Sequence, residues 1–325
     1  MWIRITQIDG KLPNLALMRI SSWFKEKGYK VFFSRSAYKD LFEPNYDFVF
    51  GSAIFSFSKD KIEELRRQFP QAIIGGTGEK INSSLKDIGI PDDYDKLDYS
   101  IYPDYKNSLG FTQRGCRLKC KFCVVPEKEG KNKTVASIYD IWRGEPYPKN
   151  IHLLDNDFFG SDSWQDRAKE IIEGNFKVCF NQGINVRLIH EEGAQVLAKM
   201  KYYDDSFTKR RIYTAWDNLK DERIFFKGIN ILNNAGIPNH RIMAYMLIGY
   251  KLGETIEDIL YRVKAMQDKS ILPYPMVYSP YGQKPKKILK QIQRWVIRRY
   301  YQFVPFEEYK TQSARDDFSN FEISY

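Results

Sequence analysis

The chain has 325 residues, 51 Lys and Arg against 41 Asp and Glu, a formal net charge of +10 and 43% hydrophobic residues. That length carries one large or two modest domains with a sizeable core, and 15% aromatic content excludes a disordered chain. No apolar run approaches the ~18 residues of a membrane span, Met1-Trp2-Ile3-Arg4 does not open a signal peptide, and four Cys are too few for a disulfide scaffold, so a cytoplasmic, reducing setting is expected. Residues 1–106 contain neither Cys nor His. Their pattern predicts strands over 2–8, 29–33, 46–50 and 72–76 and helices over 12–27 and 59–69, a small Rossmann-like α/β domain over 1–91. Leu15, Met18, Ile20, Trp23 and Phe24 give the first helix an apolar stripe. Gly75-Gly76-Thr77-Gly78 follows the last strand, where glycines serve either a tight turn or close approach to a phosphate. Residues 92–106, acidic and rich in Tyr and Pro, read as a linker.

Three of the four cysteines then fall within eight residues, in Gly115-Cys116-Arg117-Leu118-Lys119-Cys120-Lys121-Phe122-Cys123. Three close thiolates suit an iron–sulfur cluster or zinc. A structural zinc takes a fourth protein ligand. That ligand would have to be Cys179, 56 residues beyond Cys123, or one of His152, His190 and His240, none in the paired spacing of a zinc finger. On a [4Fe–4S] cluster, three thiolates leave one iron open to a substrate or cofactor. The spacing Cys-x3-Cys-x2-Cys, with Phe122 just before the last Cys, resembles the radical S-adenosylmethionine (SAM) superfamily. The resemblance implies a [4Fe–4S] cluster on Cys116, Cys120 and Cys123, with SAM chelating the fourth iron. It implies reductive cleavage of SAM to a 5′-deoxyadenosyl radical that abstracts hydrogen from a substrate, and a reductase or a flavodoxin- or ferredoxin-type electron donor. The alternative is a zinc- or cluster-stabilised nucleic-acid-binding protein without catalysis.

After the cysteine loop, strands are expected over 108–113, 150–155, 177–181, 211–216, 241–248 and 271–278, and helices over 135–143, 163–173, 191–201, 221–235 and 254–268. Alternating strands and helices imply βαβ units, a parallel sheet and, over 107–279, a partial (β/α)6 TIM-type barrel, the scaffold of the radical SAM family. In such barrels the site gathers at the C-terminal strand ends. There the resemblance assigns Phe122 to the adenine side, and Asp155, Asn156 and Asp157 to the place where the family commonly carries Gly-Gly-Glu against the SAM amino group. It further assigns Gln182 to the pocket, Arg187 to the SAM carboxylate through its planar fork, and Leu247, in Leu247-Ile248-Gly249, to the fifth-strand motif near adenine. Asp217 reads as a cap of the following helix. No residue is assigned a catalytic role on the substrate, and neither the substrate nor the reaction outcome is specified.

The first domain resembles the cobalamin-binding domain that precedes the barrel in one branch of the family. That branch carries Asp-x-His-x-x-Gly, and no His precedes His152, so a degenerate domain without cobalamin is expected. Radical SAM enzymes with auxiliary clusters, methylthiotransferases among them, need several further cysteines. Only Cys179 remains here, in Val178-Cys179-Phe180, as a buried core thiol or a hydrogen-atom donor. The cysteine loop is basic, with Arg114, Arg117, Lys119, Lys121, Lys128, Lys131 and Lys133 against Glu127 and Glu129. These cations stabilise a reduced, anionic cluster and draw an anionic donor or substrate. Residues 280–325 read as a basic helical extension, with one helix over 285–303. Its apolar side is Ile288, Ile292, Trp295, Val296 and Tyr300, and its basic row Lys287, Lys290, Arg294 and Arg298 is either a solvated face or a surface that tracks nucleic-acid phosphates.

Overall fold

The first strand, β1 (Trp2–Gln7), is buried along nearly its whole length in the computed structural model, which describes residues 1–279 and 286–309. It lies in a first unit, Met1–Lys106, with α1 (Leu15–Glu26), β2 (Lys30–Ser34), β3 (Phe48–Ser52), α2 (Lys59–Gln68) and β4 (Ile73–Gly75). The sheet is parallel in the order β2-β1-β3-β4. Asn14 caps α1 by accepting from the Leu17 N–H at 3.1 Å, and Leu17, Met18, Ile20 and Phe24 bury its apolar stripe. Arg4 is buried too. Its guanidinium pairs with Glu43 and donates to the Ser36 and Tyr38 carbonyls at 2.7 and 3.1 Å, so the charge is fully partnered. The glycine run after β4 serves backbone packing: a Cβ on Gly76 or Gly78 would overlap the carbonyl of Ala53 or Phe55. The segment 92–106, expected as a linker, is anchored within this unit. The Tyr94 hydroxyl reaches Ser22 at 2.9 Å, Asp98 pairs with Lys25 at 2.7 Å, and Tyr102 donates to Gln7 at 2.8 Å.

The second unit covers Asn107–Ser279 and the described residues 286–309. It opens with β5 (Ser108–Gly110), β6 (Gln113–Arg114), the single turn α3 (Val125–Lys128), β7 (Lys133–Thr134) and the single turn α4 (Ile138–Ile141). Then come β8 (Asn150–Leu153), α5 (Trp164–Glu173), β9 (Lys177–Phe180), α6 (Glu191–Lys199), β10 (Lys201–Tyr202) and β11 (Ile212–Ala215). It continues with α7 (Glu222–Asn234), β12 (Ile242–Ile248), α8 (Ile256–Asp268), β13 (Leu272–Val277) and α9 (Lys287–Ile297). The class is α/β with parallel sheets. The expected run of six strands is carried by two ladders, β10-β9-β8-β5 and β11-β12-β13. β10 takes the edge of β9 on which β11 would pair, and the Ile184 N–H reaches the Tyr213 carbonyl at 2.8 Å alongside. β6 and β7 form a separate antiparallel pair, so the strand expected over 108–113 ends at Gly110 and Gln113 belongs to that pair.

The C-terminal helix is shorter than expected. Position 285 lies outside the described residues, and the helix stops at Ile297, before Arg299 adopts a left-handed φ of 62°. Its buried face is Leu289, Ile292, Gln293, Trp295 and Val296, whereas Ile288 and Tyr300, expected on the apolar side, are exposed. Positions 289, 292, 293 and 296 follow the i, i+3, i+4, i+7 rule, 288 falls outside it, and 300 lies beyond the end of the helix. Among the described residues no helix is long and apolar enough to cross a membrane.

Helix α7 meets the loop after β9 at Gly228, where an added Cβ would overlap the Val186 carbonyl. Gly228→Val should therefore lower the unfolding free energy by about 1–3 kcal/mol through overpacking, read as a lower urea midpoint. An unchanged midpoint would show that this contact is loose.

Candidate functional site

The cysteine loop leaves β6 at Gly115, whose φ is +82° and whose Cβ position is taken by the Lys131 carbonyl, so only glycine fits there. The Cys116, Cys120 and Cys123 thiols are half-buried. Each is approached by an N–H donor. Leu118 N–H reaches the Cys116 Sγ at 3.4 Å, Arg187 Nη2 reaches the Cys120 Sγ at 3.9 Å, and the Val125 N–H serves Cys123. Burial pushes the Cys116 and Cys123 thiols up despite those donors, and the neighbouring sulfurs add to the rise. A metal centre forming here must therefore displace protons. Among the described residues, no three His, Cys, Asp or Glu side chains are placed to hold one metal ion. A tetrahedral zinc, with Zn–S near 2.3 Å, would need the sulfurs about 3.8 Å apart. Half-buried sulfurs with N–H donors suit metal-bound thiolates.

The Asp155-Asn156-Asp157 segment after β8 holds this loop in place. Asp155 accepts from the Thr112 N–H at 2.7 Å, the Gln113 N–H at 3.2 Å and the Thr112 hydroxyl. Burial nevertheless pushes its carboxyl up to about 6. Asp157 takes Arg117 in a two-pronged pair, Nε at 2.7 Å and Nη2 at 3.0 Å, while its own N–H donates to Gln113 Oε1 at 3.0 Å. Asn156 donates to Glu129 at 2.7 Å, and Glu129 also accepts from Arg114 at 2.7 Å and from the Gly115 N–H at 3.2 Å. Burial opposes ionisation of Glu129, but Arg114 and the N–H donors outweigh it and hold the carboxyl below its usual range. The carboxylates of Asp155 and Asp157, expected as acceptors for a cofactor amine, are thus already engaged by the protein.

The other strand exits reach the same loop. Arg187, besides touching Cys120, pairs with Asp221 at 3.2 Å and contacts Asn185 at 3.3 Å, so its fork is turned on the protein. Gln182 is exposed. Asp217 does not cap α7. It is half-buried and accepts from the Leu247 N–H at 2.8 Å, tying the exit of β11 to β12. Burial pushes its carboxyl up, and its charge is felt at Cys123. Beneath it, the buried Arg262 donates to the carbonyls of Trp216, Asp217 and Leu247 at 3.1–3.2 Å and pairs with Glu254 at 2.5 Å. Phe122 meets Tyr250 edge-on at 5.4 Å. Side chains from the exits of β8, β9, β11 and β12 therefore converge on one cysteine loop. Sequence reading missed the partnerships of Arg117, Glu129 and Arg262, because each lies in the pairing and not in the residue type. The run of basic residues marks Arg117 as a cation for the cluster or an anionic partner, not as the partner of Asp157.

Below the loop, the strand faces divide. Val178, Phe180, Ile212, Ala244, Met246 and Ile248 belong to the core shared with the helices. The alternate residues Cys179, Tyr213, Met243 and Tyr245 form a separate cluster. Tyr213 and Tyr245 stack with rings 5.7 Å apart and nearly parallel, and Tyr274 meets Tyr245 edge-on at 5.6 Å. On the same face Leu247 and Met276 are only partly buried, so the wall nearest the loop is apolar, aromatic and open.

Two curated proteins are similar to this chain. One is a tRNA-2-methylthio-N(6)-dimethylallyladenosine synthase from a Sulfurihydrogenibium species, 26% identical over 192 residues, which are 53% of this chain and 42% of the relative. The other is a synthase of the same name from Fusobacterium nucleatum subsp. nucleatum, 24% identical over 273 residues, 69% of this chain and 58% of the relative. The chain thus spans about half the length of the curated relatives it matches. No family model matches it, and neither does a solved structure.

The carboxyl of Asp155 gives this site a pH signature. Its pKa rises from 3.8 to about 6 on folding, so the folded chain holds a proton that the unfolded chain gives up. The resulting stabilisation is full below the unfolded value and is lost as pH rises through about 6, about 3 kcal/mol in all. Between about pH 4 and pH 7 the wild type should lose that much unfolding free energy relative to Asp155→Asn, measured by denaturant titration. Parallel pH profiles for the two proteins would show that the three donors keep Asp155 ionised throughout.

Proposed function

We propose that this chain is a single-cluster radical SAM enzyme acting on a nucleic acid, with residues 107–279 as a partial (β/α)6 barrel. The observation that carries this reading is the set of three half-buried thiols on one loop, each with an N–H donor, enclosed by the exits of four parallel strands. When bound, a [4Fe–4S] cluster with SAM on its unligated iron supplies the electron that opens the sulfonium. Cys116, Cys120 and Cys123 hold the irons. Leu118, Val125 and Arg187 offset the thiolate charge. Phe122, Gln182 and Leu247 would line the SAM molecule, Arg187 would reach its carboxylate only by leaving Asp221, and Asp155, Asn156 and Asp157 order the loop. The tyrosine wall of Tyr213, Tyr245 and Tyr274 keeps bulk water from the reacting side.

The two relatives, both synthases of a modified tRNA nucleoside by name, support the radical SAM reading and a nucleic-acid substrate. The exposed Lys119, Lys121 and Lys131 around the loop suit an anionic electron donor of the flavodoxin or ferredoxin type. The proposal does not extend to the relatives' methylthio product, since only Cys179 remains outside the loop within this sequence and it is fully buried. For the first unit we propose a cobalamin-domain-like fold without a corrin. No His precedes His152, and Asp9 after β1 accepts from Ile54 N–H at 2.7 Å, Phe55 N–H at 3.0 Å and Ser58 at 2.7 Å across the strand ends where ligands usually bind.

Anaerobic reconstitution with iron and sulfide should give a brown protein that, once reduced, releases 5′-deoxyadenosine from SAM. Cys120→Ala should lose the colour and the release together. A fully cluster-loaded protein that leaves SAM intact would overturn the reading, as would a closed four-ligand zinc site by X-ray absorption. Arg187→Gln should keep the cluster but move its reduction potential to a more negative value, because a cation beside the Cys120 sulfur is removed. Titration followed by electron paramagnetic resonance reads that shift.

A further inference from the structure

We infer that the outer face of α9 is a binding surface for single-stranded RNA that leads toward the cysteine loop. The inference rests on the nucleic-acid reading above and adds the surface that carries it. At 100° per residue, Lys287, Lys290, Arg294 and Arg298 fall within about 80° of one another on the helix. The buried face of Leu289, Ile292, Gln293 and Val296 lies opposite. The helix KILKQIQRWVI contains no carboxylate. Among the described residues, none of Lys287, Lys290, Arg298 and Arg299 forms an ion pair, so their charge faces outward unneutralised.

The direction of the stripe follows from two contacts. Near the start of the helix, Leu289 packs against Gly249, which follows β12 and precedes Tyr250, the ring that meets Phe122. Beyond its far end, Arg299 is close enough to Arg211, at the start of β11, for the two charges to repel. The cations thus run for about 16 Å from the cysteine-loop end of the strands toward the opposite end. Past the last of these cations in the chain come two exposed rings: Phe303, 81% exposed, and Tyr300, 44% exposed and packed on one side against Tyr309 at 5.2 Å. Cations that track phosphates next to rings that accept unstacked bases are the chemistry of a single-stranded nucleic-acid surface. An anionic protein would use the cations but has no need of the rings.

The test uses the whole chain, without SAM, and fluorescence anisotropy of a labelled oligouridine and of a double-stranded RNA of the same length. The triple variant Lys287→Gln, Lys290→Gln, Arg298→Gln should bind oligouridine about tenfold more weakly, and its slope of log affinity against log salt should be shallower by about 2. Phe303→Ala should weaken oligouridine binding and leave the duplex unaffected. Denaturation midpoints near wild type establish that the variants are folded. Equal affinity of the triple variant and wild type would overturn the inference, as would a wild type that binds no oligouridine at low salt. Loss of binding to an acidic flavodoxin with RNA binding intact would also overturn it, in favour of a protein partner. The assay needs no cluster turnover, so RNA binding without SAM cleavage would sink the enzyme reading alone, and SAM cleavage without RNA binding would sink this one alone.

Discussion

The carboxylate of Asp155 decides where the cysteine loop leaves the sheet. Both its oxygens are committed to Thr112 and Gln113, the two residues that carry the chain from β5 into the strand pair that frames the loop. An unpartnered carboxylate in that position would be costly, and one with three donors is a firm tie between the exits of β5 and β8. Arg117 and Asp157 repeat the tie two residues along, and Glu129 adds a third through Arg114, Gly115 and Asn156. The thiols are presented from a base held by charge pairs, not from a flexible loop.

The same economy of charge recurs on the other side. Asp217 and Arg262 stitch β11 to β12 through backbone groups, which leaves Leu247 and Phe122 as the apolar border of the loop. Arg187 stands between the two systems, one nitrogen on Asp221 and another on the Cys120 sulfur. Burial holds the Cys116 and Cys123 thiols above their usual range, so a centre assembling on them must displace their protons.

Outside the cysteine loop the sequence offers one further thiol. Residues 1–106 hold no cysteine, and Cys179 sits in the tyrosine cluster with no exposure. What the chain has in place of further thiols is an aromatic inner wall and a basic outer helix.

Much of this was legible in the residues. Three thiols at fixed spacing are a local pattern, and the alternation of apolar runs with amphipathic stretches is local as well, so both survive in the sequence. The extent of α4, the strand β10 and the splitting of the ladder into two were not legible, because Lys201–Tyr202 is too short to show a period and its pairing with β9 depends on a neighbour. By itself the sequence determined the α/β class, the spacing of the three loop cysteines and the basic side of the last helix. Only the tertiary structure decided that Arg117 answers Asp157, 40 residues away, that Arg187 answers Cys120, 67 away, and that Asp217 answers the Leu247 N–H, 30 away. A polar side chain takes its role from whatever the fold sets across from it, and that choice is made in space and not along the chain.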